Sequence, residues 1–279
     1  MGLWFDEIYD DMMRFGLRVE ETLYSATSPF QKIDIVKTTK HGRALLLDEL
    51  WMTSEGDEFY YHEMIAHPAM TTAPQIERVL VIGGGDGGTI REVLSYPEVK
   101  ECVLVEIDGL VVDACRKWLP AIGTAWEDPR LTVVIEDAIA WVKAPDRGKF
   151  DVILVDGSDP VGPAEGLFGT PFYEACRSIL HPHGVLVTQS ESPVIYRETH
   201  LMAVRRLEEV FGNAWPYYSV VPIYNGGEWS WTYASAQTSP FDIIESRATR
   251  AEDHTRLYNS AYHRGAFAIP NRIKKELGR

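Results

Sequence analysis

From Arg78 onward the chain alternates between two hydrophobic periods. Short continuous apolar runs, VLVIG (79–83), CVLVEI (102–107), LTVVI (131–135), DVILVD (151–156) and GVLVTQ (184–189), read as strands buried on both faces. Between them TIREVLSY, LVVDACRKWL and PFYEACRSIL place apolar residues at helical spacing. Strand and helix in alternation predict a parallel sheet covered on both sides. Two late runs, YYSVVPIY (217–224) and WSWTYAS (229–235), stand four residues apart and predict an antiparallel hairpin at the edge of that sheet.

The first 74 residues follow another pattern. QKIDIVK (31–37) and RALLLD (43–48), joined by Lys40-His41-Gly42, predict a β-hairpin. In TSEGDEFYYHEMIAHPAM, Ser54 and Asp57 have capping-box spacing, so a helix is expected from about Glu55 to Ala66, stopped by Pro68. The expected division is an N-terminal β-hairpin domain with a linking helix over 1–74, then a catalytic α/β domain over 75–279. A doubly wound sheet finished by a hairpin resembles the class I methyltransferase variant of the Rossmann fold.

Charge narrows the partners. The 41 acidic against 27 basic residues leave a formal charge of −14 over 279 residues. That lacks the basic footprint of a nucleic-acid binder and suits cationic ligands. Cys102, Cys115 and Cys176 form no CxxC pattern and predict free thiols in a reducing compartment. The opening MGLWFDEIYDDMM is acidic where a signal peptide is basic, and no apolar run approaches a membrane span. A cytoplasmic protein without membrane or nucleic-acid partners is expected.

Candidate chemistry sits at the strand ends. GGGDGGTIRE (83–92) follows the first strand of the sheet, and glycines such as Gly83 and Gly85 let the backbone approach a ligand. Glu106 ends the second strand, where an acid accepts hydrogen bonds from ribose hydroxyls. Asp137, before Ala138, follows the third and could bond an adenine amino group. The alternative for Glu106 or Asp137 is a solvated loop acid or a helix N-cap. Asp86 in the glycine loop disfavours a pyrophosphate or a carboxylate there and favours a ligand bearing an amine, such as decarboxylated S-adenosylmethionine. The fourth strand runs into DGSDPVGPAEGLF (156–168), where Asp156 and Asp159 can pair with a cationic substrate or take its proton; for Asp159 an Asx-type turn is the alternative.

GGGDGGTIREVL, VEID, DVILVDGSDPVGPAE, DEFYYHEM and LYNSAYHRGAFAIP together resemble the motif set of the spermidine synthases, the polyamine aminopropyltransferases, over nearly the whole chain. The resemblance implies a small N-terminal β domain on a Rossmann-like domain, assembled as a homodimer or homotetramer. It implies that Gln31, Gly83, Gly85, Asp86, Glu106, Asp137, Ala138 and Pro163 hold decarboxylated S-adenosylmethionine as co-substrate, with no separate cofactor. Asp156 is then the base, Tyr61 and Tyr224 orient the attacking nitrogen, and Asp159, His62 and Gln189 contact the polyamine, together with Asp86 and Asp156. Trp4 corresponds loosely to an aromatic that covers the acceptor. Putrescine is the expected acceptor. Agmatine, cadaverine or spermidine, methyl transfer from S-adenosylmethionine, and polyamine binding without turnover are the alternatives. Gly157 stands where the family commonly has Ser or Thr, and Met52 where many relatives carry Gln. His62, Glu63 and His67 give HExxxH, which misses the HExxH spacing of zinc proteases, so no metal is assigned.

Overall fold

The structure, a computed structural model, describes residues 3–9, 13–158, 162–224 and 227–279, with backbone alone for 162–164. Five strands, β1 (Leu3–Tyr9), β2 (Met13–Thr27), β3 (Lys32–Thr38), β4 (Arg43–Leu47) and β5 (Leu50–Ser54), form an antiparallel sheet in sequential order. The expected hairpin is β3–β4: Lys37 pairs with Arg43 around Gly42, whose φ of +70° suits the turn. The sequence reading assigned nothing to β1 and β2, because their burial alternates only partly.

Helix α1 (Phe59–Met70) starts later and ends later than expected. The Ser54 hydroxyl does bond the Asp57 carboxylate, but within the turn that follows β5, and Glu58 at the N-cap makes no side-chain capping bond. Pro68 lies inside the helix rather than stopping it. Lacking an N–H, it leaves the Met64 carbonyl without its helical donor. The Tyr217 hydroxyl donates to that carbonyl at 2.7 Å, so the interruption is repaired from another element.

The larger sheet contains β6 (Arg78–Gly83), β7 (Glu101–Glu106), β8 (Leu131–Ile135), β9 (Phe150–Asp156), β10 (Leu180–Gln189), β11 (Ala214–Val221) and β12 (Gly227–Ala234). Its order is β11-β12-β10-β9-β6-β7-β8, with β6 to β10 parallel and the β11–β12 hairpin antiparallel at one edge. This is the Rossmann-like, class I methyltransferase-type arrangement, finished by the expected hairpin. Connecting helices α2 (Gly88–Leu94), α3 (Gly109–Trp118), α4 (Ala138–Lys143), α5 (Thr170–Ser178) and α6 (Arg197–Phe211) cover it, and α7 (Glu245–Glu252), α8 (Ser260–Ala266) and α9 (Asn271–Glu276) form the tail. No helix among the described residues is long and apolar enough to cross a membrane. The three cysteines are buried and unpaired.

Packing ties the two sheets into one unit. On one face of the large sheet, Val79, Val81, Val152 and Leu154 share a core with α1 and with Val36, Leu46 and Trp51 of the small sheet. A second core joins Ile33, Ile35 and Leu45 to Val111 and Cys115 of α3. The carboxyl edge of the parallel strands therefore faces the small sheet across a gap.

Glu63 of α1, buried, fastens the tail. Its two carboxylate oxygens accept the backbone N–H groups of Arg256, Leu257 and Tyr258, each at 2.8 Å. Glu63→Ala strands these donors, that of Tyr258 buried, and is expected to lower stability by about 3 kcal/mol, the range for losing charge-assisted bonds. Urea unfolding measures this, and limited proteolysis should show faster cleavage near residue 256; an unchanged midpoint would mean that other contacts hold the tail.

Candidate active site

The carboxyl ends of β6, β7 and β9 and the start of α4 open into a cavity of about 480 Å³, closed on its far side by Glu7, Leu45, Trp51 and Met52 of the small sheet. The glycine loop after β6 forms its floor. Gly84 has φ of +74°, and a Cβ there would lie 2.7 Å from an Asp156 carboxylate oxygen. At Gly88 a Cβ would lie 2.3 Å from the His62 ring. Both positions exclude side chains because charged groups from other elements already occupy the space.

Beneath this loop runs a chain of alternating charge, buried at Glu58 and His62 and partly exposed at its two ends. Arg91 of α2 donates to Glu58 at 2.8 Å, Glu58 meets His62 Nδ1 at 2.7 Å, and His62 Nε2 lies 3.3 Å from Asp86. The second Asp86 oxygen accepts the Gly88 N–H at 2.7 Å, at the start of α2. Burial alone would lower the His62 pKa, yet Asp86 and Glu58 on its two sides hold it well above the ordinary imidazole value. Burial likewise opposes ionisation of Asp86 and Glu58, but His62 and Arg91 hold both below the ordinary carboxylate range. His62 is therefore an imidazolium fixed between two carboxylates.

Asp156, at the end of β9, takes the opposite character. Its carboxylate accepts the Thr89 hydroxyl at 2.6 Å, and burial, followed by the charge of Asp86, raises its pKa. The Tyr61 phenol bonds the same carboxylate and is pushed well above its ordinary value by burial and then by Asp156. Tyr61 packs edge-on to Tyr224 at 5.8 Å, and the Tyr224 hydroxyl donates to the Met52 carbonyl at 2.7 Å. A carboxylate of raised pKa, bonded by hydroxyls and facing a cavity, is a better proton acceptor than a surface aspartate.

The remaining expected residues sort by position. Gly83, Gly85, Glu106, Asp137, Ala138 and Gln31 all line the cavity. Glu106 accepts the Asp108 N–H at 3.0 Å, and burial above all pushes its pKa up to about 7. Asp137 is both a wall residue and the N-cap of α4, accepting the Ile139 N–H at 2.8 Å, so the two alternatives for it coexist. Gln31 is held by Asp108, 3.0 Å from its amide nitrogen. The Gln189 amide reaches the carbonyls of Gly157 and Ser158 at 3.3 and 3.4 Å and so braces the loop after β9. Among the described residues, a Cβ at Gly157 would meet the end of Leu167 at 2.9 Å, so a hydroxyl residue there requires that flexible side chain to move. Asp159 lies outside the described residues, as does the side chain of Pro163.

Trp4 is 60% exposed on β1 and is not among the residues lining the cavity; Tyr9, Trp51, Tyr196 and Trp229 join Tyr61 and Tyr224 in its aromatic lining. Sequence reasoning missed Glu7, Glu58, Thr89, Arg91 and Asp108. Glu58 and His62 at i,i+4 in a helical pattern were a readable signal. Strand alternation in WFDEIY would have put Glu7 and Tyr9 on one face, but the strand itself went unrecognised.

Comparison with known proteins identifies the family. Residues 58–243 match the family model described as spermine/spermidine synthase domain, and residues 3–55 the one described as spermidine synthase tetramerisation domain. A polyamine aminopropyltransferase of Prochlorococcus marinus (strain MIT 9313) is 47% identical over 277 residues, covering 98% of this chain and 96% of that protein. One from Clostridium perfringens is 41% identical over 279 residues, covering 99% and 98%. A crystal structure of spermidine synthase in complex with the transition-state analogue AdoDATO superposes with a TM-score of 0.95 at 38% identity, covering 99% of this chain and 95% of the other. Spermidine synthase from Thermotoga maritima gives 0.94 at 37%, covering 99% and 94%. With both models matched in order and relatives of this identity along its whole length, the chain belongs to the spermine/spermidine synthase family of aminopropyltransferases.

Proposed function

We propose that the protein transfers the aminopropyl group of decarboxylated S-adenosylmethionine to putrescine, giving spermidine and methylthioadenosine. The observation that carries this reading is Asp156: a buried carboxylate of raised pKa, bonded by Thr89 and Tyr61, on the cavity wall beside the Asp86–His62 pair. In the reaction the acceptor's neutral amine attacks the methylene carbon next to the sulfonium. A C–N bond forms, the C–S bond breaks, and the electron pair leaves with methylthioadenosine. Taking an alkyl ammonium of pKa near 10 to its neutral form at pH 7 costs about 4 kcal/mol, at ~1.4 per unit. Asp156 accepts that proton, and its burial makes it a stronger base than a surface aspartate. In this reading Tyr61 and Tyr224 set the direction of the attacking nitrogen, and alignment of the two substrates supplies much of the remaining acceleration.

Glu106 bonds the ribose hydroxyls, Asp137 faces the adenine, and Gln31 and Ala138 complete that wall. Asp86 bonds the amine of the transferred group. A short diamine suits the acceptor side, where aromatic Trp51, Tyr9 and Trp229 flank the space for methylenes and buried Glu7 provides a carboxylate for the far ammonium. Assembly as a homotetramer is part of the same reading. It is supported by the match of residues 3–55 and by Leu3, Trp4 and Ile8, which stand 58%, 60% and 63% exposed along β1.

The direct test is incubation with decarboxylated S-adenosylmethionine and a panel of amines, products read by mass. Spermidine from putrescine is expected to dominate, and preference for agmatine or spermidine would overturn the acceptor assignment. In the same assay Asp156→Asn should lower turnover at least ~100-fold, the scale of general-base loss, while nucleoside binding survives. Near-normal turnover would remove Asp156 from the role of base.

Asp86→Asn is expected to weaken the decarboxylated nucleoside and to spare or improve the intact one. The intact ligand brings a carboxylate toward Asp86, a repulsion of several kcal/mol at an effective dielectric of about 20. Calorimetry of both nucleosides against both proteins measures the affinity ratio; an unchanged ratio would assign selectivity to another part of the pocket.

Glu106 makes nucleoside binding pH-dependent. Its pKa of about 7 leaves it mostly protonated below neutrality, whereas accepting two ribose hydroxyls requires the carboxylate. Methylthioadenosine, which has no amine to titrate, should therefore gain affinity by up to roughly tenfold per unit as pH rises toward 7, then level off. Glu106→Gln should flatten that profile, and a flat profile in the unaltered protein would dissociate Glu106 from the ribose.

A further inference from the structure

Away from the cavity, three elements bring together His67 at the end of α1, Glu92 on α2 and His254 in the turn after α7. One ligand atom from each lies within 4.8 Å of the others. His67 and Glu92 are buried, and His254 is exposed to solvent. His67 Nδ1 is 2.8 Å from the Tyr96 hydroxyl. Its Nε2, fully enclosed, lies 3.1 Å from Glu92 Oε2, an ion-pair contact in which no aligned hydrogen bond forms among the described residues. A buried ring nitrogen set against a carboxylate without an aligned hydrogen bond, and with a second imidazole alongside, is a cluster of donor atoms converging on one point.

We propose that His67, Glu92 and His254 form a binding site for one Zn²⁺ ion. Two imidazoles and one carboxylate are a donor set that zinc accepts, with a fourth position left to water. Zinc–nitrogen and zinc–oxygen bonds of about 2.0–2.2 Å require ligand atoms roughly 3.3 Å apart. His67 and Glu92 already stand at that separation, and the exposed His254 ring meets His67 edge-on at 6.2 Å, with a ligand atom within 4.8 Å of theirs. The outer shell also fits. In the ligating tautomer the Tyr96 hydroxyl, 2.8 Å away, would accept the Nδ1–H of His67 and leave Nε2 with its lone pair, while Arg91 holds the other Glu92 oxygen at 2.5 Å. The HExxxH spacing is not itself the site: Glu63 is committed to the tail backbone, His62 to Asp86 and Glu58, and only His67 remains.

The ion would join the tail to α1 and α2, the helices that carry Tyr61, His62, Thr89 and Arg91. It supplies stability and takes no part in transfer.

The test uses the full-length protein stripped by chelator and titrated with ZnCl₂, followed by calorimetry and thermal melting. The unaltered protein should bind one Zn²⁺ per chain at micromolar or lower concentration and melt at higher temperature with the ion present. His254→Ala, an exposed substitution, should fold and turn over normally but lose at least tenfold in zinc affinity and lose the thermal shift. His181→Ala, at an exposed histidine elsewhere, should retain both. Cobalt(II) in place of zinc should give the visible absorption of a tetrahedral N/O site, absent in His254→Ala. Equal zinc affinity in His254→Ala and unaltered protein, or no binding at micromolar zinc, would overturn the proposal.

Discussion

The chain Arg91–Glu58–His62–Asp86 is the constraint around which the candidate site is built. Four ionised groups with little access to water are tolerated because each has an opposite charge at hydrogen-bonding distance; removing His62 leaves two carboxylates facing each other without their shared cation. The chain links α1 to α2 and to the glycine loop, so the position of the loop is set by charge as well as by backbone conformation. It also separates the roles of two nearby acids. Asp86, beside the imidazolium, stays ionised; Asp156, with hydroxyl partners and a like charge near it, is the more basic.

Helix α1 serves as the hub because its faces meet different surroundings. Tyr61 and His62 turn to the cavity, Glu63 to the tail backbone, and His67 to α2 and Tyr96. A helix buried on nearly every face needs polar partners for each polar side chain, and the tail and the β11–β12 hairpin provide them. Tyr217 of that hairpin repairs the break at Pro68, and Tyr224 beyond it bonds the Met52 carbonyl of the small sheet. The hairpin thereby connects the two sheets across the mouth of the site. Met52 contributes its backbone to this contact, which a glutamine at the same position would contribute equally.

Much of this protein follows from short-range pattern. The five parallel strands and their edge hairpin were legible because continuous apolar runs and amphipathic helices obey fixed periods, and the strand ends then located Asp86, Glu106, Asp137 and Asp156 without coordinates. The hairpin around Gly42 was legible for the same reason. What sequence could not determine was whatever depends on the far partner of a contact. Pro68 looks like a helix stop until Tyr217, some 150 residues away, supplies the missing donor. Glu7 and Tyr9 carry no periodic signal strong enough to reveal β1, yet the tertiary fold sets them in the cavity wall. The ionisation of His62, Asp156 and Glu106 arises from burial and from charges brought in by other elements. Hydrophobic spacing is a local property of the chain, whereas desolvation and charge pairing exist only once distant segments exclude water together.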